Sequence, residues 1–194
     1  MHHHHHHGGS GWASVSPKTQ RKKSADSDAD SSDERNDAII EDVFSKYSKN
    51  GYMSRFQFAL VVSKLSKHVK ELKGVESETV AAAFNLFSTG GQVMTLGEFK
   101  KWWGESDKFS YFVGKRSRMI SKAYALYKKY SSIETLNTST ENFKARRMTL
   151  KEFLKLLGDL KIEVENDGDE FDQIDQDGDG ALSFKEFCAW LKWF

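Results

Sequence analysis

Asp175-Gln176-Asp177-Gly178-Asp179-Gly180-Ala181-Leu182-Ser183-Phe184-Lys185-Glu186 decides the reading of this chain. The stretch has the form D-x-D-x-D-G-x5-E. A hard divalent cation such as Ca²⁺ takes roughly six to eight oxygens in a flexible shell. Asp175, Asp177 and Asp179 offer a carboxylate at every second position of a curled loop, and Gly180 lets the backbone turn sharply. The Ala181 carbonyl then faces the ion, Ser183 acts through water, and Glu186 closes the shell with two oxygens. These six residues are the expected ligands of one Ca²⁺, with Mg²⁺ as a competitor. The bland alternative, an acidic surface turn, has no reason to satisfy all the constrained positions together.

The end of this stretch repeats a pattern seen three times upstream. Met53-Ser54-Arg55-Phe56-Gln57-Phe58, Met94-Thr95-Leu96-Gly97-Glu98-Phe99 and Met148-Thr149-Leu150-Lys151-Glu152-Phe153 precede Leu182-Ser183-Phe184-Lys185-Glu186-Phe187. The shared form is apolar, Ser/Thr, two residues, Glu/Gln, Phe. Its Ser/Thr-x-x-Glu/Gln part is a capping box, in which hydroxyl and carboxyl satisfy each other's backbone amides at a helix start. The apolar residue suits a short two-stranded contact, and the Phe opens a buried helix face. Around the first copy, Ile39, Ile40, Val43, Phe44 and Tyr47 form one helical stripe, with Asn36 or Asp37 as its cap. Phe58, Val61, Val62, Leu65 and Val69 form the next. One helix–loop–helix unit is thus used four times.

On these residues the chain resembles the EF-hand superfamily, in its calmodulin-like form with four hands in two lobes, over residues 37 to 194. The resemblance implies an all-α fold of two lobes of paired hands, with minimal β contact between paired loops. The expected divisions are an affinity tag and linker at 1–11, a disordered tail at 12–36, an N-lobe at 37–104, a connector at 105–116 and a C-lobe at 117–194. Three loops depart from the pattern. Ser48 to Gln57 holds no acidic residue, Ser88 to Glu98 offers only its closing glutamate, and Ser131 to Glu152 carries an insert with Glu134 and Glu141 out of register. Lys144, Arg146 and Arg147 stand beside those two acids. A divalent cation needs several anionic oxygens in register, so these hands are read as structural.

The remaining sequence narrows the function. The chain has 194 residues and a net charge of +1, but residues 101–147 hold eleven Lys/Arg against four Asp/Glu, and residues 148–194 hold five against twelve. The basic middle is read as a solvated helix and loop or as a patch complementary to the acidic end, rather than as a contact for an acidic partner or phosphate. Six of seven histidines lie in the tag, leaving His68, and Cys188 is the single cysteine. No nucleophile–base set or phosphate loop is visible, so no enzyme is expected. Residues 12–36, with Pro17 and a Ser/Asp run, are too polar to bury a core. Residues 105–115, with Phe109, Tyr111, Phe112 and Val113, are too apolar for a free linker and are expected to dock on a lobe. Residues 166–174 are expected to form a short helix, frayed without metal by its crowded acids.

The reading is a monomeric calcium sensor that binds an amphipathic helix of a target protein through its C-lobe, with no nucleic-acid partner and no membrane span. The tag stands in place of the native start, which leaves room for an acyl anchor. The rival is a scaffold whose calcium is structural. A cytoplasmic setting fits the lone cysteine. The Glu186-Phe187-Cys188-Ala189-Trp190 segment also resembles protist flagellar calcium-binding proteins, which adds a cytoskeletal or flagellar setting.

Overall fold

The computed structural model describes residues 26–88, 90–137, 142–176 and 178–193. The elements run α1 (Asp26–Tyr47), β1 (Tyr52–Ser54), α2 (Arg55–Leu65), α3 (Ser77–Phe87), β2 (Val93–Thr95), α4 (Leu96–Gly104), α5 (Gly114–Tyr130), β3 (Ser132–Asn137), β4 (Asn142–Thr149), α6 (Leu150–Leu160), α7 (Asp167–Ile174), β5 (Ala181–Leu182) and α8 (Phe184–Leu191). Two 3₁₀ turns, Lys70–Leu72 and Lys108–Phe112, lie between α2 and α3 and between α4 and α5.

The repeated hexamer does one job four times. Each copy carries a complete capping box at the start of α2, α4, α6 or α8. The backbone N–H of Ser54, Thr95, Thr149 and Ser183 donates to Gln57, Glu98, Glu152 and Glu186, at 2.7, 2.9, 2.8 and 2.9 Å. The apolar residue before each box pairs across an antiparallel contact, Met53 with Met94 and Met148 with Leu182. All four are fully buried, so the contact joins neighbouring loops and also seals a core.

An all-α fold does not hold. The chain is 64% helical, but its described residues also form five strands in two small antiparallel sheets. β1–β2 is the minimal contact expected, whereas the second sheet, β3-β4-β5, is larger. The insert expected as a loop folds on itself from Ser132↔Arg147 to Asn137↔Asn142, while its Glu141 lies outside the described residues. Ile133 and Thr135 are β-branched and favour the pleated form. The hairpin is then anchored from outside. Tyr127 Oη donates to the carbonyl of Leu182 at 2.7 Å and lies 2.9 Å from that of Arg146. Arg146 N–H donates to Gly90 O at 2.8 Å, and the Arg146 guanidinium donates to Ser131 O at 3.1 Å, just past the end of α5.

α1 also begins earlier than the Asn36 or Asp37 cap. Residues 26–36 of the expected tail are helical, and Asn36 is buried inside α1. Composition there argues against a core, not against a helix, and acidic residues favour a helix start. Residues 12–25 lie outside the described residues.

Two hydrophobic clusters result. The first gathers Phe44, Phe58, Phe84, Phe99, Trp102 and Trp103; the second gathers Tyr127, Met148, Phe153, Phe171, Leu182 and Phe187. The clusters share elements. α3 gives Val80, Ala83 and Phe84 to the first and Ala81 and Ala82 to the second. The 3₁₀ turn at 108–112 gives Phe109 and Phe112 to the first and Tyr111 to the second. Among the described residues, no helix is long and apolar enough to cross a membrane.

Candidate functional site

The loop from Asp175 to Glu186 hangs between α7 and α8. α7 is short, eight residues, and Asn166 caps it by accepting from Asp169 N–H at 2.9 Å. It is tied to α8 by Trp190 Nε1, which donates to Glu170 Oε2 at 2.8 Å. The acid-rich segment is thus a short helix with a cap at its start and one tie to α8. Asp175 ends α7 with its side chain buried, and its Oδ2 accepts the Gly180 N–H at 2.8 Å. That bond curls the loop back on its first residue. Gly180 permits the curl with φ +85, a backbone region that costs other residues more.

The far end is pinned as well. Glu186 accepts the N–H of Ser183 on Oε1 at 2.9 Å and the N–H of Gln176 on Oε2 at 3.1 Å. Ser183 Oγ accepts from Glu186 N–H, and Ala181 lies buried in β5 opposite Thr149. Asp179 Oδ1 accepts the Ala181 N–H at 3.2 Å and lies 3.1 Å from Arg147 Nη2. Asp177 lies outside the described residues.

The structure thus brings Asp175, Asp179, Ala181, Ser183 and Glu186 into one closed turn. It does not gather their oxygens around a point: among the described residues no three carboxylate, imidazole or thiol groups converge to hold an ion. The donor set nevertheless fits a hard cation. All the candidate donors are oxygens, and Asp175 Oδ1 is buried with no hydrogen-bond partner. A buried anionic oxygen without a donor is costly, and a cation offsets that cost directly. Asp179 and Glu186 must exchange their present partners to join it.

The other three loops have different uses. Lys49 and Tyr52 exchange backbone hydrogen bonds at 2.8 and 3.0 Å around Asn50 and Gly51, both at positive φ, which leaves a two-residue hairpin turn. The loop after α3 turns on Gly90 and Gly91, with Ser88 buried and Thr89 outside the described residues. The third is the β3–β4 hairpin.

Sequence reasoning missed the role of that hairpin at the last loop. Arg147 pairs with Asp179 and with Glu134, so a residue of the basic middle meets a candidate ligand of the acidic end. The opposed charges of the two segments were the available signal. A cleft of about 490 Å³ lies beside the loop, lined by Leu86, Phe87, Ser88, Glu98, Lys185 and Glu186, so the closing glutamate also faces the junction of the two halves. Cys188 is buried next to it in α8, and burial pushes its thiol well up, which keeps it protonated at neutral pH. Comparison with known proteins finds no family model and no curated protein that matches the chain.

Proposed function

We propose that the chain is an EF-hand protein that takes one Ca²⁺ in the loop from Asp175 to Glu186 and reads it out through α8 to a target protein. The observation that carries this reading is the buried, unpartnered Asp175 Oδ1 at the head of a loop with an oxygen donor at each required position. Asp175, Asp177, Asp179, the Ala181 carbonyl, Ser183 through water, and Glu186 would hold the ion. When bound, the ion supplies positive charge that neutralises the loop's carboxylates. Glu186 is the third residue of α8, so its release of the Gln176 amide moves that helix. Trp190, bonded to Glu170 on α7, reports any change between the two helices.

One observation favours the scaffold as a second reading. Ala81 and Ala82 of α3 pack into the second cluster with Phe184 and Phe187 of α8. A surface that a sensor would offer to a partner helix is filled by the chain's own helix.

Calorimetry on the full chain is expected to give one Ca²⁺ with a Hill coefficient near one, toward the weak end of the range of roughly 10⁻⁷ to 10⁻⁵ M. Amide shifts between 160 and 194 are expected to move, and those between 37 and 76 to stay nearly still, while α3, which shares a cluster with α8, follows it. An apolar dye that binds more with calcium supports the sensor; dye binding that stays flat or falls supports the scaffold. No calcium binding, or two tight sites, overturns the proposal.

A further inference from the structure

Arg147 is held against the loop by its own sheet. It lies on β4 two residues before Thr149, which pairs with Ala181 of β5, so the ladder sets its distance from the loop. Its side chain is only 15% exposed. Nη2 lies 3.1 Å from Asp179 Oδ1 and donates to the Asp179 carbonyl at 3.2 Å. On the other side, Nε lies 3.3 Å from Glu134 Oε2, an ion pair whose angle makes no hydrogen bond. Glu134 faces Ala145 in the hairpin register, so Arg147 is its diagonal neighbour on the same face. The three side chains form an acid–base–acid row from hairpin to loop.

We propose that Arg147 is the resident cation of the last loop, setting its affinity for a divalent cation by competing for Asp179, with Glu134 as the acceptor that keeps Arg147 when Asp179 is taken. This rests on the reading of residues 175–186 as a calcium loop. A guanidinium is permanently charged, and its planar fork can serve two carboxylates at once. An ion drawing on Asp179 repels the guanidinium beside that oxygen, so Arg147 must withdraw or the ion is bound less tightly. The contact with the Asp179 carboxylate is the shorter one and is backed by the hydrogen bond to the Asp179 carbonyl, whereas the contact with Glu134 has room to improve as Arg147 turns. Glu134 has no place in the ligand spacing, yet in this row it lowers the cost of releasing a ligand.

Calcium titrations of four full-length chains test this: wild type, Arg147→Met, Glu134→Gln and the double variant. Arg147→Met is expected to bind about fivefold tighter, the scale of one partly exposed ion pair. Glu134→Gln is expected to bind roughly two- to threefold more weakly, but only while Arg147 is present. In the double variant the Glu134 effect should vanish. Simple through-space attraction would instead leave it intact, and that result overturns the proposal, as does an Arg147→Met chain that binds no tighter than wild type. Hydrogen exchange without calcium gives a second readout. Arg147→Met is expected to expose the amides of Gly180 and Ala181 several-fold more often, and unchanged exchange there contradicts the resident role. If neither wild type nor Arg147→Met binds calcium, the loop reading itself fails and the proposal with it. If only Arg147→Met binds, the resident role of Arg147 stands, whereas the proposal that the wild-type chain takes calcium is overturned.

Discussion

Glu186→Gln is expected to weaken calcium binding by on the order of a hundredfold while leaving the fold intact. The two halves of that expectation rest on different atoms. The loss of affinity follows because Glu186 is the only ligand expected to supply two oxygens, and an amide offers one neutral acceptor in their place. The survival of the fold follows because the capping box needs only one acceptor. The chain already contains that experiment: Gln57 occupies the equivalent place in α2 and accepts the Ser54 N–H at 2.7 Å, the shortest of the four such contacts. The weak point is the Gln176 N–H, which loses a charged acceptor and with it about 1 kcal/mol. Circular dichroism without calcium should therefore match wild type. Glu98→Gln and Glu152→Gln keep their boxes for the same reason and should leave affinity unchanged. An equal loss in Glu152→Gln would mean that the hairpin-bearing unit contributes ligands after all.

Lys108→Met is expected to stabilise the calcium-free chain by about 2 kcal/mol at pH 7. Lys108 is 2% exposed in the 3₁₀ turn between the halves. Its ammonium has one weak acceptor, the Glu105 carbonyl at 3.4 Å, and lies 4.9 Å from the Phe109 ring. Burial pushes it down from 10.5 to about 8, against the opposing pull of Glu105 and Asp107. That depression corresponds to roughly 3 kcal/mol of penalty on the charged form. The hydrogen bond lost with the ammonium returns about 1 kcal/mol, so desolvation wins. The pH dependence follows. Below about 8 both folded and unfolded chains hold the proton, and the folded state bears the full cost. Between about 8 and 10.5 the unfolded chain holds more protons, so this contribution to stability rises with pH. Tyr127 acts in the opposite sense. Burial raises its hydroxyl, so above its ordinary value of 10.0 the unfolded chain releases a proton that the folded chain keeps, and stability falls. With respect to these two groups wild type should be most stable just above about pH 10, where the rise from Lys108 and the fall from Tyr127 cancel. Denaturant melts of Lys108→Met should lack the rise. A variant less stable than wild type at pH 7 would show that Lys108 has a compensating partner.

The parts of the fold legible in sequence were those written in short spacings. A capping box needs residues three apart, and all four boxes form where the hexamer repeats. The pairing of Met53 with Met94 follows from the same hexamer. Trp102, Trp103, Phe109 and Phe112 are buried because large apolar side chains at helical spacing have few other places to go. The β3–β4 hairpin was not legible because it is held by distant groups. Of its described side chains only Ala145 and Met148 are buried, so it carries little hydrophobic period, and its anchors Tyr127 and Gly90 lie elsewhere in the chain. The Arg147–Asp179 pair spans two such elements and is visible only once the sheet has set its register. The candidate ligands were legible as types and spacing, whereas their present hydrogen-bond partners were not.

Gly90 sits in a loop with no candidate ligands, yet it governs where the loop from Asp175 to Glu186 can be. Its φ is +83, and a Cβ there would lie 2.7 Å from the Ala145 Cβ and 3.1 Å from the Ala145 Cα. An alanine would have to push the backbone of β4 outward, breaking the bond from Arg146 N–H to the Gly90 carbonyl. β4 is also the strand that Met148 and Thr149 lay against Leu182 and Ala181. A one-carbon addition in the second loop therefore changes the seat of the fourth. Tolerance to mutation in this protein follows the path of one strand rather than distance from the carboxylates.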